Sequence, residues 1–164
     1  MTTSPNPRTS RPHPAGADQA PAVLLDQPFT EADLPALRRA VAAHADRTAL
    51  PGQRVSDLVL IASELAANAI RHGGGTGRLR LLTTPDGIHC QVSDDGPGVP
   101  QPHPLPRQRP EPTVTSGRGL WLVFSYADTL TIDDGTDGGA VITATLRHPA
   151  PGAADQPRSQ TLRR

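Results

Sequence analysis

Two polar residues four positions apart, Glu64 and Asn68, stand inside an otherwise apolar stretch of the sequence. The chain has only three glutamates, and Glu64 alone lies within a strongly apolar helical pattern. Residues four apart on a helix are stacked on one face. A carboxylate beside an amide oxygen suits a general base next to a ligand for a hard cation. Taken alone, the pair is more typical of the solvated flank of an amphipathic helix.

The helix that carries this pair is predicted to run from the break at Leu50-Pro51-Gly52 to the glycines at 73–75. At about 100° per residue, its apolar residues form a core-facing arc and its polar residues a second arc. Leu60 and Ile61 lie within the second arc, which suggests a partly covered pocket wall. The core arc contains Val55, Leu58, Val59, Ala62, Leu65, Ala66, Ala69 and Ile70, and the polar arc contains Asp57, Glu64, Asn68, Arg71 and His72.

A second candidate motif is the pentapeptide at 94–98, which follows a predicted strand. Asp94 would project beyond the sheet, and Gly96 and Gly98 would permit a ligand to approach closely. An ionised carboxylate accepts hydrogen bonds only, so it could receive an exocyclic amine such as that of adenine. An ordinary Asp-Gly turn is the alternative for this motif in isolation.

A third motif, Gly117-Arg118-Gly119-Leu120, places small residues just before a predicted helix. The free N–H groups and the positive dipole end of a helix N-terminus favour phosphate. The motif is neither a P-loop nor a dinucleotide-binding fingerprint, because the lysine of the first and the preceding strand of the second are missing.

The remaining local signals predict an α+β fold, in which helices pack on one face of a mixed, mostly antiparallel sheet to form a two-layer α/β sandwich. Turn signals such as Pro85-Asp86-Gly87 join strands into hairpins. The other predicted elements are an edge strand at 23–25, a helix at 31–45 with Thr30 as its N-cap, strands at 78–84 and 88–93, a helix at 121–127, and strands at 129–133 and 140–146.

Composition indicates where the folded domain begins and ends, and it argues against some classes of function. We predict one folded domain at residues 22–147, between disordered tails at 1–21 and 148–164 that are rich in proline and polar residues. A proline-rich lid is predicted at about 99–116 and contains Arg107 and Arg109. The formal net charge of zero gives no support for a nucleic-acid or anionic-membrane surface.

The absence of certain residues narrows the chemistry further. All sixteen basic residues are arginine, which excludes mechanisms that need a lysine. Cys90 is the only cysteine, so it can form no intramolecular disulfide, and its place in a predicted strand indicates a core residue. No apolar run has the length of a signal or transmembrane segment, and a cytoplasmic protein is expected.

The three motifs, in this order and with this spacing, resemble the N, G1 and G2 boxes of the GHKL ATPase superfamily, whose histidine kinase-like ATPase domain has the Bergerat fold. The N box matches at Glu64, Asn68, Ala69 and His72. In its small size and in its sequence from Gly117 to Val123, the chain is most similar to the stand-alone bacterial anti-sigma-factor serine/threonine kinases. The resemblance covers residues 22–147, nearly the whole predicted domain.

The resemblance implies ATP and Mg²⁺ as cofactors and assigns roles by position. Asn68 would hold Mg²⁺ through its amide oxygen, and Glu64 would orient or deprotonate the attacking hydroxyl or water. Asp94 would receive the adenine amine, with Gly96 and Gly98 shaping the base pocket. The phosphates would be contacted at the third box by Gly117, Arg118, Gly119 and Leu120.

The implied function is phosphorylation of a Ser or Thr on a protein antagonist and control of a sigma factor by binding. The implied partners are therefore proteins, with a homodimer left open and with neither nucleic acid nor membrane involved. The family often carries a Thr after its last glycine turn, whereas this chain has Ala140. A non-catalytic module that binds ATP or no nucleotide, and a slow ATPase, stay open as alternatives.

Overall fold

The computed structural model describes residues 20–99, 118–135 and 138–149. The predictions for the lid, for Arg107, Arg109 and Gly117, and for most of both tails fall outside these residues. In chain order the elements are β1 (Ala22–Thr30), a 3₁₀ turn (Glu31–Asp33), α1 (Leu34–Ala45), α2 (Gly52–His72), β2 (Thr76–Thr84), β3 (Gly87–Ser93), α3 (Arg118–Tyr126), β4 (Thr129–Asp134) and β5 (Ala140–Arg147).

Five strands form one sheet in the order β1-β2-β3-β5-β4. All four pairings are antiparallel, so the parallel pair that a mixed sheet requires does not occur among the described strands. Alternate residues of the inner strands are buried, as for Leu79 and Leu81 on β2 and Ile88 and Cys90 on β3. These side chains share one hydrophobic core with the helices, which confirms the predicted α+β sandwich.

β1 is longer than the sequence predicts, since it covers nine residues and not only the three at 23–25. It includes Pro28, which lies opposite Arg78 of β2. Proline cannot donate to a strand ladder, but an edge strand needs ladder bonds on one side only, and β1 is at the edge of the sheet. The predicted edge position is therefore confirmed, whereas the predicted end before Pro28 is wrong.

The first predicted helix is divided into a 3₁₀ turn and α1. The backbone N–H and the Oγ1 of Thr30 donate to Asp33 Oδ2 at 2.9 and 2.8 Å, and these bonds lower the pKa of Asp33. Pro35 lies in the first turn of α1, where its missing N–H has no intrahelical partner to lose. The regular helix consequently begins after the turn, at Leu34, and not at residue 31.

α2 matches its predicted bounds, but its buried surface is wider than the predicted core arc. Ile61 is fully buried, and Asp57, which was expected on the polar arc, is only 5% exposed. The reason is that α2 contacts α1 and the sheet and also α3, so that protein covers it on several sides. The prediction that Asp57 lies on a partly covered polar arc is therefore wrong.

α3 begins at Arg118, three residues before the predicted start, so Gly119 and Leu120 belong to its first turn. Val123 is buried, and Leu120 packs against the core. None of the helices in the described ranges combines the length and the apolar composition needed to cross a membrane.

Candidate functional site

α2 and α3 bring the first and third motifs into contact. Glu64 and Asn68 are both half-buried on α2, one turn apart. A Cβ atom placed on Gly119 would stand 2.6 Å from Glu64 Oε2 and 3.4 Å from Asn68 Oδ1. The absence of a side chain at Gly119 therefore lets the first turn of α3 approach both oxygens, as a site at a helix N-terminus requires.

The amide oxygen of Asn68 accepts a hydrogen bond from Arg71 Nη2 at 2.8 Å. The two residues are three apart on α2, and Arg71 is exposed in the last turn of the helix. The helical pattern predicts Arg71 on the polar arc but indicates no role for it. The three-residue spacing is the signal that could have indicated this contact.

Asp94 lies directly after β3, and its carboxylate is fixed by backbone donors. Its Oδ1 accepts hydrogen bonds from the N–H of Gly96 at 3.0 Å and from the N–H of Ala140 at 3.3 Å. The N–H of Asp94 in turn donates to the Ala140 carbonyl at 3.0 Å. These bonds orient the carboxylate, with Oδ2 on the side of Gly73 at the end of α2.

Glycines without side chains allow the second motif to pack between α2 and the β4–β5 turn. Any Cβ atom on Gly73 would overlap the Asp94 carboxyl group, and a Cβ atom on Gly96 would stand 2.5 Å from Gly73 Cα. Gly98 has φ +78°, a conformation that other residues rarely adopt, and its missing Cβ would face the Gly139 carbonyl at 3.2 Å. Gly73 was predicted only as a helix stop, and no motif indicated its contact with Asp94.

Five of the described residues that the sequence nominated thus form two adjoining groups along the end of α2. One group consists of Glu64, Asn68 and Gly119, and the other of Asp94 and Gly96 against Gly73. Since Asn68 and Gly73 are separated by little more than one helical turn, a single elongated ligand could contact both groups. Of the predicted set, only Gly117 lies outside the described residues.

Mg²⁺ fits this site only as a metal that the ligand brings with it. The described residues contain no group of three or more His, Cys, Asp or Glu side chains that could hold a metal ion by themselves. Mg²⁺ commonly keeps several waters and binds one or two protein oxygens together with substrate phosphates. The amide oxygen of Asn68, beside the close approach at Gly119, meets that requirement.

Two open cavities of about 540 and 350 Å³ lie along the sheet, and the smaller one is also lined by Asp94. Both are lined by Arg78, Ser93 and Asp95, and neither includes Glu64 or Asn68. Arg78 Nε donates to Asp26 Oδ1 at 2.6 Å, so its charge is already paired. We therefore centre the candidate site on α2 and α3, with the smaller cavity adjoining it at Asp94.

Cys90 takes no part in the chemistry. Its side chain is fully buried in β3, and burial raises the pKa of its thiol to about 12. A thiol with this pKa carries almost no thiolate at neutral pH, and the thiolate is the nucleophilic form. The prediction that Cys90 is a core residue is confirmed.

Comparison with known proteins identifies the type of domain. Residues 28–146 match the family described as the histidine kinase-like ATPase domain. The chain belongs to this family, as the three motifs predicted, and membership implies that the domain binds ATP.

The individual proteins that the chain resembles share only 17–33% sequence identity with it. The chain is 33% identical over 110 residues to the signal transduction histidine-protein kinase AfsQ2 of Streptomyces coelicolor, in a match that covers 58% of this chain and 20% of that protein. Among solved structures, the histidine kinase domain of the Escherichia coli osmosensor EnvZ matches with a TM-score of 0.44 and 17% identity, over 86% of this chain and 98% of that one.

Proposed function

We propose that this protein binds Mg·ATP and transfers the γ-phosphoryl group to a Ser or Thr of a protein antagonist, while controlling a sigma factor by binding it. The observation that carries the catalytic part is the position of Glu64, whose Oε2 borders the first turn of α3 beside Asn68 Oδ1. A base at this position would lie beside the phosphates that the helix N-terminus and the metal ligand hold.

Asp94 would bind the adenine through Oδ2, because Oδ1 already accepts two backbone hydrogen bonds. An acceptor that is held in place loses little conformational freedom when the exocyclic amine binds. Gly96 and Gly98 would line the base, and the N–H groups of Arg118, Gly119 and Leu120, with Gly117 before them, would face the phosphates. Family membership and the motif order support these assignments.

Asn68 would hold Mg²⁺ by Oδ1, and the bound ion would neutralise charge on the phosphate oxygens during transfer. Glu64 would accept the proton of the attacking hydroxyl group while the oxygen of that hydroxyl forms a bond to the γ-phosphorus. The bond from that phosphorus to the bridging oxygen breaks, and ADP leaves with its electron pair. The products would be a phosphoserine or phosphothreonine on the antagonist, and ADP.

The assignment to the anti-sigma-factor branch depends on the amino-acid sequence of the G2 box and the residues after it, from Gly117 to Val123. The proposed partners are a sigma factor and its antagonist, bound by a monomer or homodimer in the cytoplasm. The matched relative is a histidine-protein kinase, of which this chain spans only 20%. Serine or threonine as the acceptor is therefore the most specific part of the proposal, and the experiment below tests it directly.

A specific observation favours a second candidate, a non-catalytic ATP-binding module or a slow ATPase. Ala140 is 3% exposed and supplies only its backbone to Asp94, so it brings no hydroxyl group to the phosphates. If transfer needs that hydroxyl, nucleotide would still bind but would be cleaved slowly or not at all. Product analysis separates these functions, since an ATPase releases phosphate and a kinase transfers it to protein.

The test is phosphorylation by purified protein and γ-labelled ATP, in a desalted extract of the source organism and with any candidate antagonist. We expect a labelled protein whose acid-stable label is phosphoserine or phosphothreonine. Glu64→Gln should reduce the initial rate by about 10²- to 10⁴-fold while still binding nucleotide, because it removes the base and leaves the shape of the side chain. Equal rates for wild type and Glu64→Gln would refute the catalytic role of Glu64.

The controls in this assay distinguish the alternatives. Acid-labile label would point to a histidine acceptor, and release of phosphate without protein labelling would support the ATPase. Calorimetric titration of Mg·ATP into the same preparations shows whether the protein binds nucleotide at all. Binding without cleavage or transfer would favour the non-catalytic module.

A further inference from the structure

Arg71 forms a hydrogen bond with the atom that the proposed metal ion needs, which is the amide oxygen of Asn68. Its Nη2 donates to Asn68 Oδ1 at 2.8 Å, and the two side chains are three residues apart in the last turns of α2. The contact uses the same oxygen that borders Gly119 and Glu64. A protein–metal contact at this oxygen therefore has a competitor within the same helix.

A divalent cation and a guanidinium group cannot both approach this oxygen without repelling each other. Mg²⁺ binds oxygen at about 2.0–2.1 Å, which would place it within a few ångströms of the Arg71 nitrogen. Both groups are positively charged, and Coulomb repulsion at such a distance is substantial even near a protein surface. Arg71 must move away from Asn68 Oδ1 when a metal ion binds there.

We infer that Arg71 competes with the divalent cation for Asn68 Oδ1 and so sets how strongly nucleotide binding depends on Mg²⁺. The inference rests on the proposed Mg·ATP site. In the metal-free protein, the Arg71 guanidinium stands in for the cation at Asn68, and it has further N–H donors that can face a phosphate. When Mg²⁺ binds, it displaces the guanidinium from Oδ1.

Arg71 is a suitable competitor because little else in the fold depends on it. It is exposed, and a hydrogen bond between side chains three apart on a helix surface contributes little to stability. Its position in the last turn of α2 also gives a favourable interaction with the helix dipole, which a stability measurement would detect separately. Arg39 is an exposed arginine on α1 and provides a control of equal charge.

The experiment is a Mg²⁺ titration of the full chain at a fixed, saturating concentration of a fluorescent ATP analogue. Wild type, Arg71→Gln and Arg39→Gln are compared by the Mg²⁺ concentration at half-maximal change in the nucleotide signal. For Arg71→Gln we expect that midpoint to fall by about threefold to tenfold, the size expected for losing a charge-assisted competitor. We also expect Arg71→Gln to bind the analogue more weakly than wild type in EDTA, whereas Arg39→Gln should match wild type in both measurements.

Each other result overturns the inference in a recognisable way. An unchanged or raised midpoint for Arg71→Gln would show that Arg71 does not compete with the metal. An equal fall for Arg39→Gln would show that net charge alone causes the effect. If no variant binds the analogue at any Mg²⁺ concentration although circular dichroism shows folded protein, the proposed nucleotide site itself fails, and the competition fails with it.

Discussion

The two ends of α2 carry similar polar side chains in opposite surroundings. Near the N-terminal end, Arg54 is 11% and Asp57 6% exposed at the side chain. Near the C-terminal end, Asn68 is half-buried and Arg71 is exposed. The first pair is enclosed by protein, whereas the second lies where a ligand could reach it.

The hydrogen-bond partners of Arg54 and Asp57 account for the difference in exposure between the two ends of α2. Arg54 donates to the Tyr126 carbonyl at 3.0 Å and to the carboxylate of Asp128, and it forms a longer contact with Asp57 at 3.5 Å. Asp57 also accepts a hydrogen bond from Gln53 at 3.3 Å. The Arg54–Asp57 cluster thus ties the start of α2 to the end of α3 and the start of β4.

The contacts at the N-terminal end of α2 also help to position the candidate site at its C-terminal end. α3 lies against α2 between two contacts, Arg54 with Tyr126 and Asp128 at one end and Gly119 with Glu64 at the other. Arg54 fixes the end of α3 and thereby helps to keep Gly119 beside Glu64. The Arg54–Asp57 cluster is accordingly structural, whereas Asn68 and Arg71 at the other end of α2 are available for binding.

The largest effect expected from this comparison is on stability. Arg54→Ala leaves Asp57 buried without its cation, and the breaking of a buried pair typically costs about 3–5 kcal/mol of unfolding free energy. Arg71→Ala removes the same charge from an exposed position, and we expect a change within about 0.5 kcal/mol. Urea unfolding followed by circular dichroism measures both variants.

A second substitution shows whether the buried charge is the cause. Adding Asp57→Asn to Arg54→Ala removes the uncompensated charge and should recover part of the lost stability. If Arg54→Ala and Arg71→Ala destabilise the protein equally, the contrast between the two ends of α2 does not hold.

The next effect is on binding without a loss of stability. Asp94→Asn keeps an oxygen that can accept from the N–H groups of Gly96 and Ala140, so the fold should be preserved. It replaces the acceptor Oδ2 by an NH₂ group, which cannot receive the adenine amine. We expect ATP affinity to fall about 10- to 100-fold, as for the loss of a charge-assisted hydrogen bond.

Calorimetric titration of Mg·ATP measures that affinity, and thermal unfolding of the same samples checks the fold. Titration with Mg·GTP provides a control, because Asp94 is proposed to recognise the amine of adenine. ATP binding by Asp94→Asn as tight as that of wild type would remove Asp94 from the site.

Most of the fold could be predicted because its signals are local. The apolar period of α2, the glycines that end it, and the Pro85-Asp86-Gly87 turn each act over a few residues, and all three appear as expected. The length of β1 could not be predicted in this way. Pro28 is tolerated only because β1 is an edge strand, and edge position depends on the pairing of the whole sheet.

The same division applies to the site. The order of the three motifs nominates Glu64, Asn68 and Asp94 for the candidate site, because each motif is a short stretch with its own spacing. Burial of Asp57 and its cluster with Arg54 could not be predicted, since Arg54 and Asp128 are 74 residues apart in sequence and meet only through packing. Contacts between distant backbone segments, such as Gly73 with Asp94, leave no motif at all.

The smallest expected effect comes from the ion pair between Arg78 and Asp26, which has good geometry but is exposed. Arg78 Nε and Nη2 donate to the two oxygens of Asp26 at 2.6 and 3.1 Å, and the hydrogen bond lowers the pKa of Asp26. Because the pKa is lower in the folded state, the pair stabilises the fold above the ordinary pKa of about 3.9 and loses this contribution as pH falls through the lowered value. Exposed pairs contribute little, so Asp26→Asn should barely change the melting temperature at neutral pH and should slightly flatten its decline in acid. Melting curves of both proteins between about pH 6 and pH 2.5 measure this. A loss at neutral pH as large as that of Arg54→Ala would mean that geometry, and not burial, decides what such pairs contribute here.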